Sequence, residues 1–202
     1  MIFPDFSIED SHDGAVCGID EAGRGPWAGP VVAAAVWWED IRHVPNGLND
    51  SKKLSKPKRE ALFETIMKHA VVGVGEATVE EIDQLNILAA TKLAMQRAYE
   101  QLPPTIQIAL VDGNQPPALP CRTIPVIKGD SKSLSIAAAS VIAKVTRDRQ
   151  MEDYSQTYPE YGFEKHAGYG TKAHQDALAT FGITPIHRQS FAPIKKLLQE
   201  AA

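Results

Sequence analysis

The string Gly18-Ile19-Asp20-Glu21-Ala22-Gly23-Arg24-Gly25-Pro26 sets two carboxylates beside an arginine flanked by glycines, at the point where a short apolar run ends. Glycines at 23 and 25 remove the side chains that would keep a ligand from the main chain, so backbone N–H groups can approach an anion. Arg24 adds a planar donor fork suited to phosphate oxygens. The chemistry these residue types suggest is a cation held next to a phosphate. Taken alone, the string fits a tight turn with one solvated arginine equally well, so the reading turns on acids elsewhere in the chain.

Asp20 and Asp112 each stand at the trailing end of an apolar run that reads as a strand, the place where ligands gather in open α/β sheets. Asp130 lies in Lys128-Gly129-Asp130-Ser131-Lys132-Ser133, directly ahead of a long helical pattern. The helix dipole alone also favours an acid there. If Asp20, Glu21, Asp112 and Asp130 converge, each close pair at ~4 Å repels by ~4 kcal/mol at an effective dielectric of about 20. Divalent cations supply the compensation, and all-oxygen ligation without a matching His or Cys cluster favours Mg²⁺ or Mn²⁺ over zinc. Neighbouring residues on a regular strand face opposite ways, so Asp20 and Glu21 are expected to share an ion only if the strand distorts. The six histidines show no metal-like spacing and read mostly as surface residues. In His166-Ala167-Gly168-Tyr169-Gly170-Thr171 the glycines leave the Tyr169 ring free to stack on a sugar or base, or to anchor its own turn.

The elements that must position these groups follow from periodicity and punctuation. Residues 16–20 and 31–38 read as two strands, able to pair antiparallel across the glycine-proline segment. Pro57 opens a helix reaching about residue 69, and 71–77 is another strand. Thr78 and Glu81 form a capping-box pattern that starts a new helix. A longer helix covers 86–102 and stops at Pro103-Pro104. Residues 106–111 make a strand ending at Asp112-Gly113-Asn114, and 122–127 one more. The longest helix spans 133–157, with Leu134, Ala138, Val141 and Val145 on one face. Helices over 171–181 and 193–199 complete a mixed α/β class.

A length of 202 residues suits one domain, read here as 14–202 behind a short acidic leader, 1–13. That leader carries Asp5, Glu9, Asp10 and Asp13 without Lys or Arg, the wrong charge for a targeting peptide. No apolar run approaches the ~20 residues of a membrane span, and a cytoplasmic location is expected. Cys17 and Cys121 imply no disulfide framework. The net charge of −4 argues weakly against a nucleic-acid binder, yet residues 51–59 hold five cations and no acid, consistent with either a basic binding face or solvated surface.

The opening string, with Ala28-Gly29-Pro30-Val31-Val32, resembles the opening signature of bacterial ribonuclease HII, the type 2 ribonuclease H. Asn49-Asp50-Ser51-Lys52-Lys53-Leu54-Ser55, Val111-Asp112-Gly113-Asn114, Lys128-Gly129-Asp130 with Ser135-Ile136-Ala137-Ala138-Ala139-Ser140, and Gly168-Tyr169-Gly170-Thr171 match later blocks in order. The resemblance implies a ribonuclease H-like fold, a mixed β-sheet flanked by helices with a helical C-terminal part. It implies cleavage of RNA in RNA–DNA hybrids and at ribonucleotides embedded in duplex DNA, with Mn²⁺ or Mg²⁺ as cofactor. By the same match, Asp20, Glu21, Asp112 and Asp130 are the acidic metal site. Gly23, Arg24 and Gly25 recognise the 2′-hydroxyl and neighbouring phosphate, Tyr169 stacks on the adjoining sugar, and Ser51, Lys52 and Lys53 contact the backbone. A monomer is the simplest expectation. The rival readings are a histidine-dependent, metal-free ribonuclease and a non-catalytic hybrid-binding module.

Overall fold

The computed structural model describes residues 3–200. Five strands, β1 (Ala15–Ala22), β2 (Val31–Trp37), β3 (Val71–Ala77), β4 (Ile106–Asp112) and β5 (Arg122–Val126), form one sheet in the order β3-β2-β1-β4-β5. β2 pairs antiparallel with both β1 and β3, whereas β1–β4 and β4–β5 are parallel. The short connection between β1 and β2 permits the antiparallel pairing, while β4 can lie parallel to β1 only after a long crossover. That crossover supplies the helices α1 (Lys56–His69), α2 (Val79–Leu85) and α3 (Ile87–Tyr99). After β5 come α4 (Leu134–Thr157), α5 (Phe163–His166), α6 (Lys172–Phe181) and α7 (Ala192–Glu200).

β2 lies inside the sheet, which accounts for the unbroken burial of Val31 to Val36: a strand covered on both faces needs no polar alternation. α3 covers one face through Ala90, Ala94 and Ala98. α4 and α1 cover the other, where Ala137, Ala138 and Ala139 meet Ala34 and Val36. Small side chains let α4 press onto β1: a Cβ on Gly18 would stand 2.2 Å from the Ile136 nitrogen. The start of α4 is thereby locked against β1 two residues before Asp20. A third cluster joins the end of α4 to α5, α6 and α7 through Met151, Phe163, Leu178 and Ile194.

The helix starts follow the expected chemistry. Thr78 and Glu81 make both bonds of the capping box, and Asn86, Ser133 and Thr171 cap α3, α4 and α6 with their side-chain oxygens. Most boundaries fall within one residue of the sequence expectation, and three larger differences stand out. β1 continues to Ala22, because its pairing with β2 runs on to Ala22↔Val32. α3 ends at Tyr99, and residues up to Leu102 form a tighter closing turn through Leu102 N–H to Tyr99 O at 2.9 Å. α5 was not expected, being one turn of helix between left-handed Gly162 and Ala167.

The acidic segment ahead of β1 covers the start of α4. Asp5 pairs with the Lys132–Leu134 backbone. The buried Glu9 carboxylate accepts from Ser133 Oγ at 2.7 Å and from the Ser135 amide at 3.0 Å. A negative charge on the free amides of a helix start is favourable, a role the sequence did not reveal. Among the described residues no helix is long and apolar enough to cross a membrane, and Cys17 and Cys121 are free thiols.

Candidate active site

The parallel register Ile19↔Val111 between β1 and β4 sets Asp20 and Asp112 side by side at the same sheet end. β5 returns the chain past Asp112, paired Asp112↔Val126, and a short turn at Gly129–Ser131 then brings Asp130 back. The Gly129 amide donates to Asp112 Oδ1 at 2.6 Å, tying that turn to the end of β4. Lys128 enters the turn in left-handed geometry, φ 56°. Glu21 reaches the same place without the strand distortion expected from its position. β1 keeps regular pairing with β2 through residue 22, but its pairing with β4 ends at Ile19. The strand edge is therefore open beside Glu21, and its carboxylate lines the same cavity as Asp20.

That cavity, of about 480 Å³, is bounded by Asp20, Glu21, the Gly23–Arg24–Gly25 segment, Ser51, Lys52, Asp130 and Tyr169, with Arg59, Lys144 and Arg147 behind them. A smaller cavity, sharing Glu21 and Arg24, holds Asp112 with Gly113, Asn114 and Lys92. Lys53 stands outside both: its ammonium donates to Ser131 Oγ at 2.8 Å, next to Asp130, and lies 3.9 Å from Asp50. Ser51 is buried, and its amide donates to Ser140 Oγ on α4.

The acids act on one another. Burial and the neighbouring Glu21, Asp112 and Asp130 push the Asp20 carboxyl well above the usual carboxylate range. Its Oδ1 accepts from the Glu21 amide at 2.7 Å, which opposes that rise. Glu21 is raised by burial, with Arg24 pulling it down and Asp112 pushing it up; Arg24 stands 3.6 Å away. Asp130 is raised by burial, then by Asp50 and Asp112, against Lys52 and Lys53. Like charges crowded out of water favour protonation. A divalent cation among them favours ionisation instead. Among the described residues no three His, Cys, Asp or Glu side chains are arranged to grip an ion as they stand. The donor chemistry fits one nonetheless: an all-carboxylate set whose own field calls for positive charge.

The loop joining β1 to β2 is held from below by two buried arginines that the sequence reading did not single out. Arg188 donates to the carbonyls of Gly23 (2.6 Å), Arg24 (3.1 Å), Pro26 (2.8 Å), Gly29 (2.9 Å) and Pro30 (3.1 Å). Arg147 donates to Ala28, Pro30 and Ala167 carbonyls at 2.9–3.0 Å. Neither pairs with a carboxylate among the described residues, and burial pulls Arg147 down to about 10 and Arg188 to about 9. Carbonyl dipoles take the place of water and counter-ion. Gly23, at φ 98°, leaves room for this: a Cβ there would meet Arg147 Nε at 2.1 Å. The Tyr169 ring stands beside Gly25 and is 45% exposed.

The expectation that the histidines are mostly surface groups fails for the C-terminal three. His174 and His187 are fully buried, and His166 stacks on His174 at 4.8 Å between centroids. They are packed among Tyr161, Phe163 and Trp27. No local signal in the sequence marks Arg147, Arg188 or this histidine group, because their partners lie in remote segments.

Comparison with known proteins agrees with this arrangement. The family model described as ribonuclease HII matches residues 17–194. The chain is 56% identical over 198 residues to ribonuclease HII of Paramagnetospirillum magneticum, covering 96% of this chain and 98% of that protein. It is 55% identical to the Parvibaculum lavamentivorans ribonuclease HII, covering 98% and 74%. Among solved structures, ribonuclease H2 from Pyrococcus horikoshii superposes with a TM-score of 0.78 at 28% identity, over 92% of this chain and 98% of the other. The ribonuclease HII of the Archaeoglobus fulgidus PCNA complex gives 0.74 at 30%, over 88% and 95%. With a signature, a fold and an acidic cavity that agree, this chain belongs to the ribonuclease HII family.

Proposed function

We propose that Asp20, Glu21, Asp112 and Asp130 are the catalytic, metal-holding carboxylates of this metal-dependent type 2 ribonuclease H. The chain is an endoribonuclease acting on RNA–DNA hybrids, as its family is; cleavage at ribonucleotides embedded in duplex DNA is part of the proposal. The observation that carries the site assignment is the buried Asp20 carboxyl, raised by three other acids from β1, β4 and the turn after β5. Mg²⁺ or Mn²⁺ bound there supplies neutralising charge and acidifies water for attack on phosphorus.

The chain's own residues do the rest. Asp20 and Asp112, neighbours across β1 and β4, would hold an ion, and Glu21 and Asp130 would complete the shell or orient water. Gly23, Arg24 and Gly25 lie in a loop whose Gly23, Arg24 and Pro26 carbonyls are turned inward to Arg188, which leaves its outer side for the 2′-hydroxyl and adjoining phosphate. Tyr169, exposed beside Gly25, stacks on the neighbouring sugar. Ser51, Lys52 and Lys53 take the phosphate backbone as positioning contacts. The 2′-hydroxyl is read and is not the nucleophile, since it is what separates RNA from DNA at a site. Products therefore carry 5′-phosphate and 3′-hydroxyl ends. Residues 14–202 are read as one catalytic domain, active as a monomer in the cytoplasm.

The test is cleavage of a duplex carrying one ribonucleotide, with Asp20→Asn beside the unaltered chain. Lost cleavage with retained hybrid binding supports the assignment. Unchanged cleavage and binding in every assay refutes it and favours the reading of these acids as part of a binding surface.

A further inference from the structure

We infer that the buried His174–His187 pair is a positioning relay that sets Tyr169 against the Gly23–Gly25 loop. This inference rests on the reading of Tyr169 as a substrate contact. The Tyr169 carbonyl receives the Thr171 amide at 2.8 Å and lies 3.0 Å from His174 Nδ1. His174 Nε2 lies 3.0 Å from His187 Nε2, and His187 Nδ1 receives the Thr184 amide at 2.8 Å.

His187 Nδ1 also lies 2.8 Å from Thr184 Oγ1, which can donate or accept, and 3.3 Å from the Thr184 carbonyl, but the Thr184 amide at 2.8 Å is the contact that selects the protons in this series. The Thr184 amide can only donate, so His187 Nδ1 carries no hydrogen and its Nε2 does. His187 Nε2–H then donates to His174 Nε2, which leaves His174 with its proton on Nδ1, directed at the Tyr169 carbonyl. A second proton on either ring would set two N–H groups against each other. Burial lowers His174, and lowers His187 to about 4, so both rings stay neutral in neutral solution.

The far end of the relay is fixed to the loop it serves. His187 forms a bridge with Ala28, the Arg188 amide donates to Trp27 O, and the Arg188 side chain holds Gly23 and Arg24. A Cβ on Gly170, the residue after Tyr169, would strike the Trp27 ring at 2.1 Å, so the two segments also touch directly. The structure thus fixes one side of the ribose-reading surface through Arg188 and the other through the adjacent His187.

The experiment combines imidazole nitrogen NMR of the full chain with steady-state cleavage of a duplex holding one ribonucleotide. The relay predicts His174 protonated at Nδ1 and His187 at Nε2. His187→Asn keeps an acceptor for the Thr184 amide but loses the donor to His174; it should raise KM about tenfold, the loss of about one hydrogen bond. Its kcat should stay within about twofold. His187→Gln restores a donor near the Nε2 position and should recover most of the affinity, which also covers the case in which the first variant folds poorly. The opposite tautomers, or a KM unchanged in His187→Asn while Tyr169→Ala raises it, would overturn the relay. If Tyr169→Ala itself changes nothing, the reading of Tyr169 falls and takes the functional part of the inference with it, while the tautomers still decide whether the relay exists.

Discussion

Two parts of one cavity wall bury charge in opposite ways. At the sheet end Asp20, Glu21 and Asp130 are raised by burial and by acidic neighbours, a set left electrostatically unfinished by the protein alone. Beneath the β1–β2 loop, Arg147 and Arg188 are buried more completely than these acids but are surrounded by carbonyl acceptors. The difference teaches where folding and function conflict. The acids crowd like charge out of water, which opposes folding at neutral pH. The arginines fix a loop shape and are complete without substrate. Removing charge should therefore stabilise the first region and destabilise the second.

The largest expected effect is on Asp20→Asn, which should lower cleavage by at least about a thousandfold, as loss of a principal electrostatic group in an active site does. The same variant should be more stable than the unaltered chain when divalent cations are absent. The folded Asp20 carboxyl holds its proton more tightly than the unfolded one, so it opposes folding once pH exceeds the ordinary carboxylate range. Each kcal/mol relieved raises the thermal midpoint by about 2–4 °C. A lower midpoint for this variant at neutral pH, measured with chelator, would break the comparison on its acidic side.

Arg188→Met tests the other side, because it removes the donor from five loop carbonyls, of which only that of Pro30 keeps a second partner, in Arg147. Urea unfolding should show a loss of about 3–5 kcal/mol. A loss below about 1 kcal/mol would mean that the loop keeps its shape unaided. Arg24→Ala, whose side chain is half exposed, should change stability by no more than about 0.5 kcal/mol. Its cleavage at a single ribonucleotide should fall about 10- to 100-fold, the cost of roughly 1.5–3 kcal/mol for a hydrogen bond to a charged group.

The buried histidines give the comparison a pH signature. His187 is held below its unfolded value of 6.5, at about 4, so the unfolded chain binds the extra proton first. Its contribution is complete above about pH 6.5 and is lost as pH falls toward 4. The thermal midpoint of the unaltered chain minus that of His187→Gln should shrink across that window and stay flat above it. A flat difference from pH 4 to 8 would mean that His187 takes up its proton as readily in the fold as in the unfolded chain. The smallest effect is expected for Lys53→Ala, exposed and outside the cavity. Hybrid affinity should weaken uniformly and the salt slope should fall by about 0.9. A changed preference for ribonucleotides would assign Lys53 a reading role in place of a backbone contact.

The fold was legible where local chemistry decides it. Glycine-proline punctuation, the capping box at Thr78 and Glu81, and apolar periodicity such as the Leu134, Ala138, Val141 and Val145 face of α4 placed nearly every strand and helix. The acidic residues were legible because each ends an apolar strand or precedes a helix, and parallel register then brings Asp20 and Asp112 together. Lys53 shows the limit: its motif marks it, yet its ammonium turns toward Ser131. What the sequence concealed depends on distant partners. Arg188 reaches its carbonyls across more than 150 residues of chain, and Glu9 finds the start of α4 across 124. His174 and His187 look polar and solvent-seeking, but the aromatic cluster of Tyr161, Phe163 and Trp27 encloses them. Side-chain type reports a preference for water; only tertiary contact reports that the preference has been met inside.

The most direct test of the four-carboxylate centre is end-mapping of the products from a duplex with one ribonucleotide, incubated with Mg²⁺, with Mn²⁺ and with chelator. The carboxylate centre predicts cuts leaving 5′-phosphate and 3′-hydroxyl ends with either cation and none with chelator. Cleavage that survives chelation, or a 2′,3′-cyclic phosphate product, would contradict it.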